Sequence, residues 1–367
     1  MTDLVPPFFG CARENAEIAA RAAGAFAEVF ASGDMLQGRE VAAFEAAAAA
    51  RSGRAHAVAV GSGTDALHFA LTCVGVGPGD EVLTTDMSFI ATASAVLRSG
   101  AKPVFADIGP DCAIDLDRAD GLVGPRTRAL LYMDPFGGMA APGPIAAFAS
   151  RHGLRVVEDA SQSFGAALDG APAGSVGDVG VFSFDPTKVL NAPGSGGAAV
   201  TDDPEIAARL RRLRLHGKTP DGYVEPGLNS QLPSIAAAIL SLKLERHEDW
   251  AVRREALADR YDAALEPLGY KFPARPDGLR HAWQKYVLLS PERDRLRAHL
   301  AERGVPTAIH YARPLHAEPI FAGCPQRAPG FPLAEAIAAR ALSLPMHAHL
   351  TEAEIDGILG AIRDFEP

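Results

Sequence analysis

Apolar residues follow two spacings in the first half of the chain. Segments with helical spacing separate short apolar runs that are typical of buried strands. The predicted strands are His56–Val60, Glu81–Thr84, Pro103–Ala106, Arg128–Met133, Leu154–Glu158 and Val179–Phe184. The predicted helices are Glu14–Ala31, Val41–Arg51, Ala66–Val74, Ile90–Arg98 and Ile145–His152. This alternation predicts an α/β fold with a mostly parallel sheet flanked by helices.

The pattern changes after Asp203-Pro204. A basic helix through Arg214 precedes a polar loop, and the next signals are long helices to about Leu268, a strand at Trp283–Leu289, a helix at Asp294–Arg303, a short strand around Thr307–Tyr311 and a helix at Glu352–Phe365. We therefore expect a large domain over residues 1–245 and a smaller α/β domain over residues 246–367.

Composition narrows the classes of function. The 367 residues carry a net charge of −10 and no run rich in Lys or Arg, which argues against a nucleic-acid surface. No long apolar run occurs, so we expect neither a membrane span nor a secretion signal. The four cysteines lack metal-binding spacing, which predicts reduced thiols, no metal site and a cytoplasmic location.

Two chemically useful side chains follow predicted strands. Asp159 ends one apolar run and Lys188 follows the next. Ligands bind at the carboxyl edge of open α/β sheets, so both groups would meet at one site. Pyridoxal 5'-phosphate (PLP) suits this pair, because its aldehyde needs a lysine and its ring nitrogen needs an acid. The alternative is an ordinary turn aspartate and a solvated lysine.

Three further features could serve the same cofactor. The segment Gly61–Thr64 joins a strand to a helix and could hold a phosphate on backbone amides, with Ser183 adding a hydroxyl. Phe89 could stack on the pyridine ring, and Gln162 could donate to its phenolate oxygen. The alternatives are a turn capped by Thr64, a core phenylalanine and a turn-capping glutamine.

Short pieces through most of the chain are highly specific in their order and spacing. They are Gln37-Gly38, Gly61-Ser62-Gly63-Thr64, Ser88-Phe89, Lys102-Pro103-Val104-Phe105, Glu158-Asp159-Ala160-Ser161-Gln162, Phe182-Ser183-Phe184, Pro186-Thr187-Lys188, Gly196-Gly197, His216-Gly217, Gly227-Leu228-Asn229, His310-Tyr311, Pro314-Leu315-His316 and Ser343-Leu344-Pro345-Met346. Together they make the chain similar to the DegT/StrS family of fold-type I PLP enzymes, best known as sugar aminotransferases.

The resemblance implies a role for each matching residue. It assigns the Schiff base and the proton transfer to Lys188, and the partner of the pyridinium nitrogen to Asp159. The other implied cofactor contacts are Gln162 at the phenolate oxygen, Phe89 on the ring, Gly63, Thr64 and Ser183 at the phosphate, and Asn229 at the phosphate of a neighbouring subunit. A homodimer with shared sites follows from that last contact.

The resemblance also implies the reaction, which is transfer of an amino group from glutamate to a keto-sugar carried by a nucleoside diphosphate. His310, Tyr311 and His316 are expected substrate contacts, with structural roles as the alternative. Three positions depart from the family pattern, namely Asp185, Ser195 and Gln231. They leave the sugar, the nucleotide and even an aminocyclitol acceptor open.

Two other functions remain open from the sequence. One is a PLP-dependent sugar dehydratase of the same family, although relatives of that type replace the Schiff-base lysine with histidine. The other is a PLP-binding regulatory protein without turnover. The set of Asp159, Gln162 and Lys188 favours an enzyme.

Overall fold

A computed structural model describes residues 5–366, which form eleven α-helices and fourteen strands. The helices are α1 (Cys11–Ser32), α2 (Arg39–Arg51), α3 (Gly63–Cys73), α4 (Ile90–Arg98), α5 (Leu116–Asp120), α6 (Pro142–His152), α7 (Pro204–Leu213), α8 (Ser234–Leu265), α9 (Arg293–Glu302), α10 (Pro332–Arg340) and α11 (Glu352–Arg363). The strands are β1 (His56–Val60), β2 (Glu81–Thr85), β3 (Lys102–Ala106), β4 (Thr127–Met133), β5 (Arg155–Asp159), β6 (Ala167–Leu168), β7 (Ala171–Pro172), β8 (Val179–Ser183), β9 (Gly197–Thr201), β10 (Lys218–Thr219), β11 (Gly222–Tyr223), β12 (Leu279–Arg280), β13 (Tyr286–Leu289) and β14 (Ala341–Leu344).

Seven strands form the main sheet in the order β1-β9-β8-β5-β4-β2-β3. Strands β3, β2, β4, β5 and β8 are mutually parallel. Strand β9 is antiparallel to both of its neighbours, β1 and β8. The predicted mostly parallel sheet is therefore confirmed, and its strands contain nearly continuous apolar runs because helices cover both faces.

Alternate residues of β1 show how the two faces are covered. Ala57 and Ala59 pack into the cluster that contains Phe44 of α2. Val58 and Val60 point to the other face and pack with Leu67 of α3. Buried small and branched residues thus hold a helical layer on each side of the sheet.

The long helix α8 belongs to two separate hydrophobic cores. Near its start, Ala237 and Leu240 pack in the cluster below β1 and β9. Near its end, Leu257 and Tyr261 pack with the antiparallel pair β13 and β14 and with α9 and α11. The expected boundary between residues 245 and 246 therefore falls inside one continuous helix.

The structure corrects several expected elements. The expected strand around Thr307–Tyr311 does not form, and only a single bridge joins Ala308 to Ser343. Strands β9 and β14 and helix α10 were not predicted from the pattern. The sequence of β9 is Gly-Ala-Ala-Val-Thr. Such small residues are typical of a loop, although every one of them is buried here. Within the described residues, no helix is long and apolar enough to cross a membrane.

Strand β9 needs its first residue to be glycine. A Cβ atom on Gly197 would lie 2.5 Å from the carbonyl carbon of Ser62, in the turn before α3. We expect Gly197→Ala to lower the free energy of unfolding by about 1–3 kcal/mol, since rigid backbone must move. Urea denaturation measures this free energy.

The control is Gly357→Ala on the exposed face of α11, where nothing lies within 4 Å. That change should be neutral or stabilising by up to about 1 kcal/mol. Equal effects of the two changes would contradict the packing argument.

Candidate active site

The carboxyl ends of β1, β2, β5 and β8 surround one cavity of about 520 Å³ that opens to solvent. Chain segments directly after these strands supply most of its wall. The predicted residues that line it are Gly63, Thr64, Phe89, Asp159, Gln162, Ser183, Lys188, His310 and Tyr311. The structure therefore brings together side chains that the sequence spreads over 249 positions, from residue 63 to residue 311.

Asp159 is the last residue of β5, and 3% of its surface is exposed. The Thr92 hydroxyl donates to its Oδ2 at 2.6 Å, and the Ser161 backbone N–H donates to its Oδ1 at 3.2 Å. Thr92 is itself held by Ser88, with 2.6 Å between the two hydroxyl oxygens. These contacts fix the orientation of the carboxylate at the cavity wall.

Lys188 follows β8 through a tight turn. Its backbone N–H donates to the Asp185 carbonyl at 2.9 Å, and its own carbonyl accepts from Asn191 at 3.0 Å. Burial lowers the pKa of the Lys188 amine, while the negative charges of Asp159 and Asp185 partly oppose that shift. A lysine with a lowered pKa reaches its nucleophilic, neutral form more readily.

The turn between β1 and α3 forms a small concave surface. Ser62 is the N-cap residue of α3, and its hydroxyl accepts from the Asp65 backbone N–H at 3.1 Å. Thr64 is not the cap, which was the alternative to phosphate binding, and lines the cavity. A Cβ atom on Gly63 would lie 2.7 Å from Cβ of Ser183. Only glycine allows β8 to approach this helix N-terminus so closely, and helix N-termini favour anions.

Gln162 has a well-defined amide orientation. Its Oε1 accepts from the Phe136 backbone N–H at 3.0 Å and from the Lys285 amine at 3.1 Å. Its Nε2 lies 2.9 Å from the Tyr311 hydroxyl. The ring of Phe89 is 6.4 Å from that of Tyr311, and 55% of the surface of Phe89 is exposed. An aromatic face is thus available to a planar ligand.

His310 is uncharged at neutral pH. Burial, together with the positive charges of Lys285 and Lys188, lowers the pKa of its imidazole to about 3. Its Nδ1 lies 2.8 Å from the Ser343 hydroxyl. His310 can therefore contact a ligand as a neutral hydrogen-bonding group.

Two expected site residues lie away from the cavity wall. Asn229 is exposed, and its Oδ1 accepts from Gln231 at 3.0 Å. His316 packs on Phe331 with 4.2 Å between ring centroids, and its Nδ1 lies 2.6 Å from Oδ2 of the buried Asp86. The structure thus gives His316 a structural role within the fold, away from the cavity.

Several residues of the wall were not singled out from the sequence. They include Phe9, Ser88, Thr92, Ser161, Thr187, Gln284 and Lys285. Thr92 lies three residues past Phe89, one helical turn along, and that spacing was a usable signal. Lys285 has no local signal, since it lies within the apolar stretch that predicts a strand and reaches the cavity only through the tertiary fold.

A buried acidic pair lies behind the cavity. Glu158 accepts backbone N–H groups of Gly174 at 2.7 Å and Val176 at 2.8 Å. Within residues 5–366, Oδ2 of Asp134 has no hydrogen-bond partner, while its Oδ1 accepts from the Ala140 N–H at 2.9 Å. Burial and the charge of Glu158 raise the pKa of Asp134. A proton on Asp134, donated to Glu158, accounts for this arrangement.

The residues present fit PLP. The small concave surface at Gly63 suits a phosphate, and Asp159 offers a fixed carboxylate for a ring nitrogen. Lys188 offers an amine, Gln162 an oriented amide and Phe89 an exposed ring on the same cavity. No group of three or more metal-ligating side chains occurs within residues 5–366. The fold and the site together define a fold-type I PLP-dependent enzyme.

Comparison with known proteins gives the family. The model of the DegT/DnrJ/EryC1/StrS aminotransferase family matches residues 16–363, and the chain belongs to this family. The chain is 40% identical to a "pleiotropic regulatory protein" of Geobacillus stearothermophilus, covering 92% of each. It is 38% identical to a dTDP-3-amino-3,4,6-trideoxy-alpha-D-glucose transaminase of Streptomyces venezuelae, covering 98% of this chain and 96% of that protein.

Solved structures agree with the family. DesV of S. venezuelae, solved in complex with a ketimine intermediate, has a TM-score of 0.94 and 38% identity and covers 98% of each chain. NtdA of Bacillus subtilis, solved with bound PMP, the aminated form of PLP, has a TM-score of 0.88 and 27% identity, covering 98% of this chain and 85% of that one. The predictions of family, fold class, enzyme class and PLP cofactor are confirmed.

The acidic pair predicts a pH-dependent stability. The pKa of Asp134 is raised in the folded protein. Its contribution to the free energy of unfolding is therefore fully present below the ordinary carboxyl pKa and is lost as pH rises through the raised value. Asp134→Asn can donate to Glu158 at every pH, so this decline in the free energy of unfolding should disappear. Urea denaturation between about pH 5 and pH 9 measures it. The exposed Asp117→Asn serves as the control, and a decline as large in Asp134→Asn as in the wild type would contradict the shared proton.

Proposed function

We propose that the protein transfers the amino group of glutamate to a keto-sugar linked to a nucleoside diphosphate. The observation that carries this proposal is the convergence of Lys188, Asp159 and Gln162 on one cavity beside the Gly63 turn. The transaminase from S. venezuelae, whose name specifies a dTDP-sugar, supports the acceptor class.

Bound PLP supplies an aldehyde that takes the amino group and a ring that withdraws electrons from the donor carbon. With that cofactor bound, Lys188 would be the base that takes the proton from the donor Cα and passes it on to the cofactor. Its lowered pKa suits that work near neutral pH. Asp159, fixed by Thr92, would pair with the protonated ring nitrogen of that cofactor.

The cavity has room for a large acceptor. Its volume of about 520 Å³ exceeds what an amino acid donor requires, and its opening to solvent lets a larger acceptor extend outwards. Phe89 and Tyr311 provide aromatic surface, and His310 provides a neutral imidazole. We assign His310 and Tyr311 to acceptor binding, whereas His316 is held by Asp86.

The functional unit in this proposal is a homodimer. Asn229 is exposed and lies outside the cavity of its own chain, which suits a residue that reaches a partner's phosphate. Phe26 and Phe30 on α1 stack with 5.9 Å between centroids, and 55% and 65% of their surfaces are exposed. Such exposed aromatic groups mark an association surface.

The four cysteines are free, which supports a cytoplasmic setting.

A half-reaction tests the proposal. Purified protein should be yellow, and glutamate alone should shift its absorbance to that of the pyridoxamine form and release 2-oxoglutarate. A dehydratase should fail this test because it does not take an amino group from glutamate. A regulatory protein, as the name of the Geobacillus relative suggests for that relative, should bind PLP without the shift.

Two substitutions separate the roles of the central pair. Lys188→Ala should abolish the half-reaction, because it removes both the covalent attachment and the base. Asp159→Asn should slow it on the order of 10²–10³-fold, because the ring nitrogen loses its charged partner. Stopped-flow absorbance measures both rates. The exposed variants Lys102→Gln and Asp117→Asn are the controls, and wild-type rates in Lys188→Ala would contradict the assignment.

Mixed dimers test the sharing of sites. Lys188→Ala and Asn229→Ala subunits should each have low activity alone. After unfolding and refolding together, half of the dimers combine one of each, and one of their two sites is intact. Activity should therefore recover to roughly a quarter of the wild-type value. Mixing that restores nothing would show that Asn229 serves only its own chain.

A further inference from the structure

Lys285 is a buried amine without a matching acid. It lies immediately before β13, with 9% of its surface exposed, and lines the same cavity as Lys188. Within residues 5–366, its Nζ has one hydrogen-bond partner, Oε1 of Gln162 at 3.1 Å, and no ion-pair partner. An ammonium has three N–H donors, so two of them have no protein acceptor among these residues.

This burial is unfavourable for the protein alone. Desolvation and the nearby charge of Lys188 both lower the pKa of Lys285. An uncompensated buried charge is costly, and an apolar residue of similar volume would be more stable there. Gln162 is already oriented by Phe136 and Tyr311, so it does not require the amine. A buried amine that destabilises the folded protein and lies in a cleft indicates a ligand-binding site.

The charges on the cavity wall identify the ligand chemistry. Among the described residues that line it, the charged side chains are Asp159, Asp185, Lys188 and Lys285, with no arginine. His310 is neutral there. Lys188 is committed to the cofactor aldehyde, which leaves Lys285 as the amine on this wall whose positive charge a small anion would stabilise. Every amino acid donor carries a carboxylate beside its reacting carbon.

The position of Lys285 favours the donor over the acceptor. Its Nζ contacts Gln162, three residues past Asp159, so it lies at the reacting end of the cavity. The anionic diphosphate of a nucleotide sugar is remote from the reacting ketone, whereas the carboxylate of an amino acid is one bond from the reacting carbon. We propose that Lys285 binds a carboxylate of the amino donor and thereby positions its amino group for transfer.

The inference rests on the proposed aminotransferase function, and kinetics of the two half-reactions test it. Lys285→Gln removes the positive charge and retains an N–H donor for Gln162. The glutamate concentration at half-maximal rate should rise about 10- to 100-fold, the loss expected for a charged hydrogen bond. The corresponding concentration of a nucleotide-linked amino sugar, in the reverse half-reaction, should change less than about 3-fold. Cofactor absorbance should stay at the wild-type level, and Lys102→Gln is the matched control.

Three kinetic outcomes would overturn the inference. An equal rise for both substrates would indicate a structural role. A rise for the sugar alone would assign the cation to the acceptor, and no change would leave Lys285 without a role in binding. If the wild-type protein reacts with no amino donor, the proposed function fails instead.

A second measurement needs no variant. Glutarate has two carboxylates and no amino group, so it can occupy the donor site without reacting. A crystal structure of the wild-type holoenzyme with glutarate should place a carboxylate oxygen within about 3.2 Å of Nζ of Lys285. A carboxylate bound elsewhere, or no bound glutarate, would contradict the proposal.

Discussion

The parallel pairing of β5 with β8 is the constraint on which the rest of the site depends. Its register places Asp159 beside Val181, so both strands end at the same edge of the sheet. Ser183 ends β8 there, and the next turn delivers Lys188. Backbone hydrogen bonds of the sheet thus position the carboxylate and the start of the turn that carries the amine.

Strand alternation separates two kinds of acid at the end of β5. Asp159 points to the cavity and accepts from Thr92, whereas its neighbour Glu158 points to the opposite face and accepts from Gly174 and Val176. A proton shared with Asp134 neutralises one carboxyl group of the buried pair formed by Glu158 and Asp134. The cavity therefore has its own balance of charge, in which Asp159 and Asp185 oppose Lys188 and Lys285.

Much of the fold and site could be predicted because their signals are local. The apolar runs mark the parallel strands, and a residue that directly follows such a run, as Asp159 does, must lie at the sheet edge. Strand β9 was missed because its small residues fit a place where Gly197 touches Ser62, a contact that only the tertiary structure contains. Lys285 was missed for the same reason, since it reaches Gln162 across 123 positions. The sequence left a structural role for His316 open, because a histidine within a motif does not reveal its buried partner, Asp86.

The central claim is that one of the two cavity lysines carries the cofactor and the other does not. Borohydride reduction of the yellow holoenzyme, followed by proteolysis and mass spectrometry, locates the covalently attached group. We expect the phosphopyridoxyl group on Lys188, which follows β8 and faces the cavity with Asp159. Its recovery on Lys285, or on no lysine at all, would contradict the account.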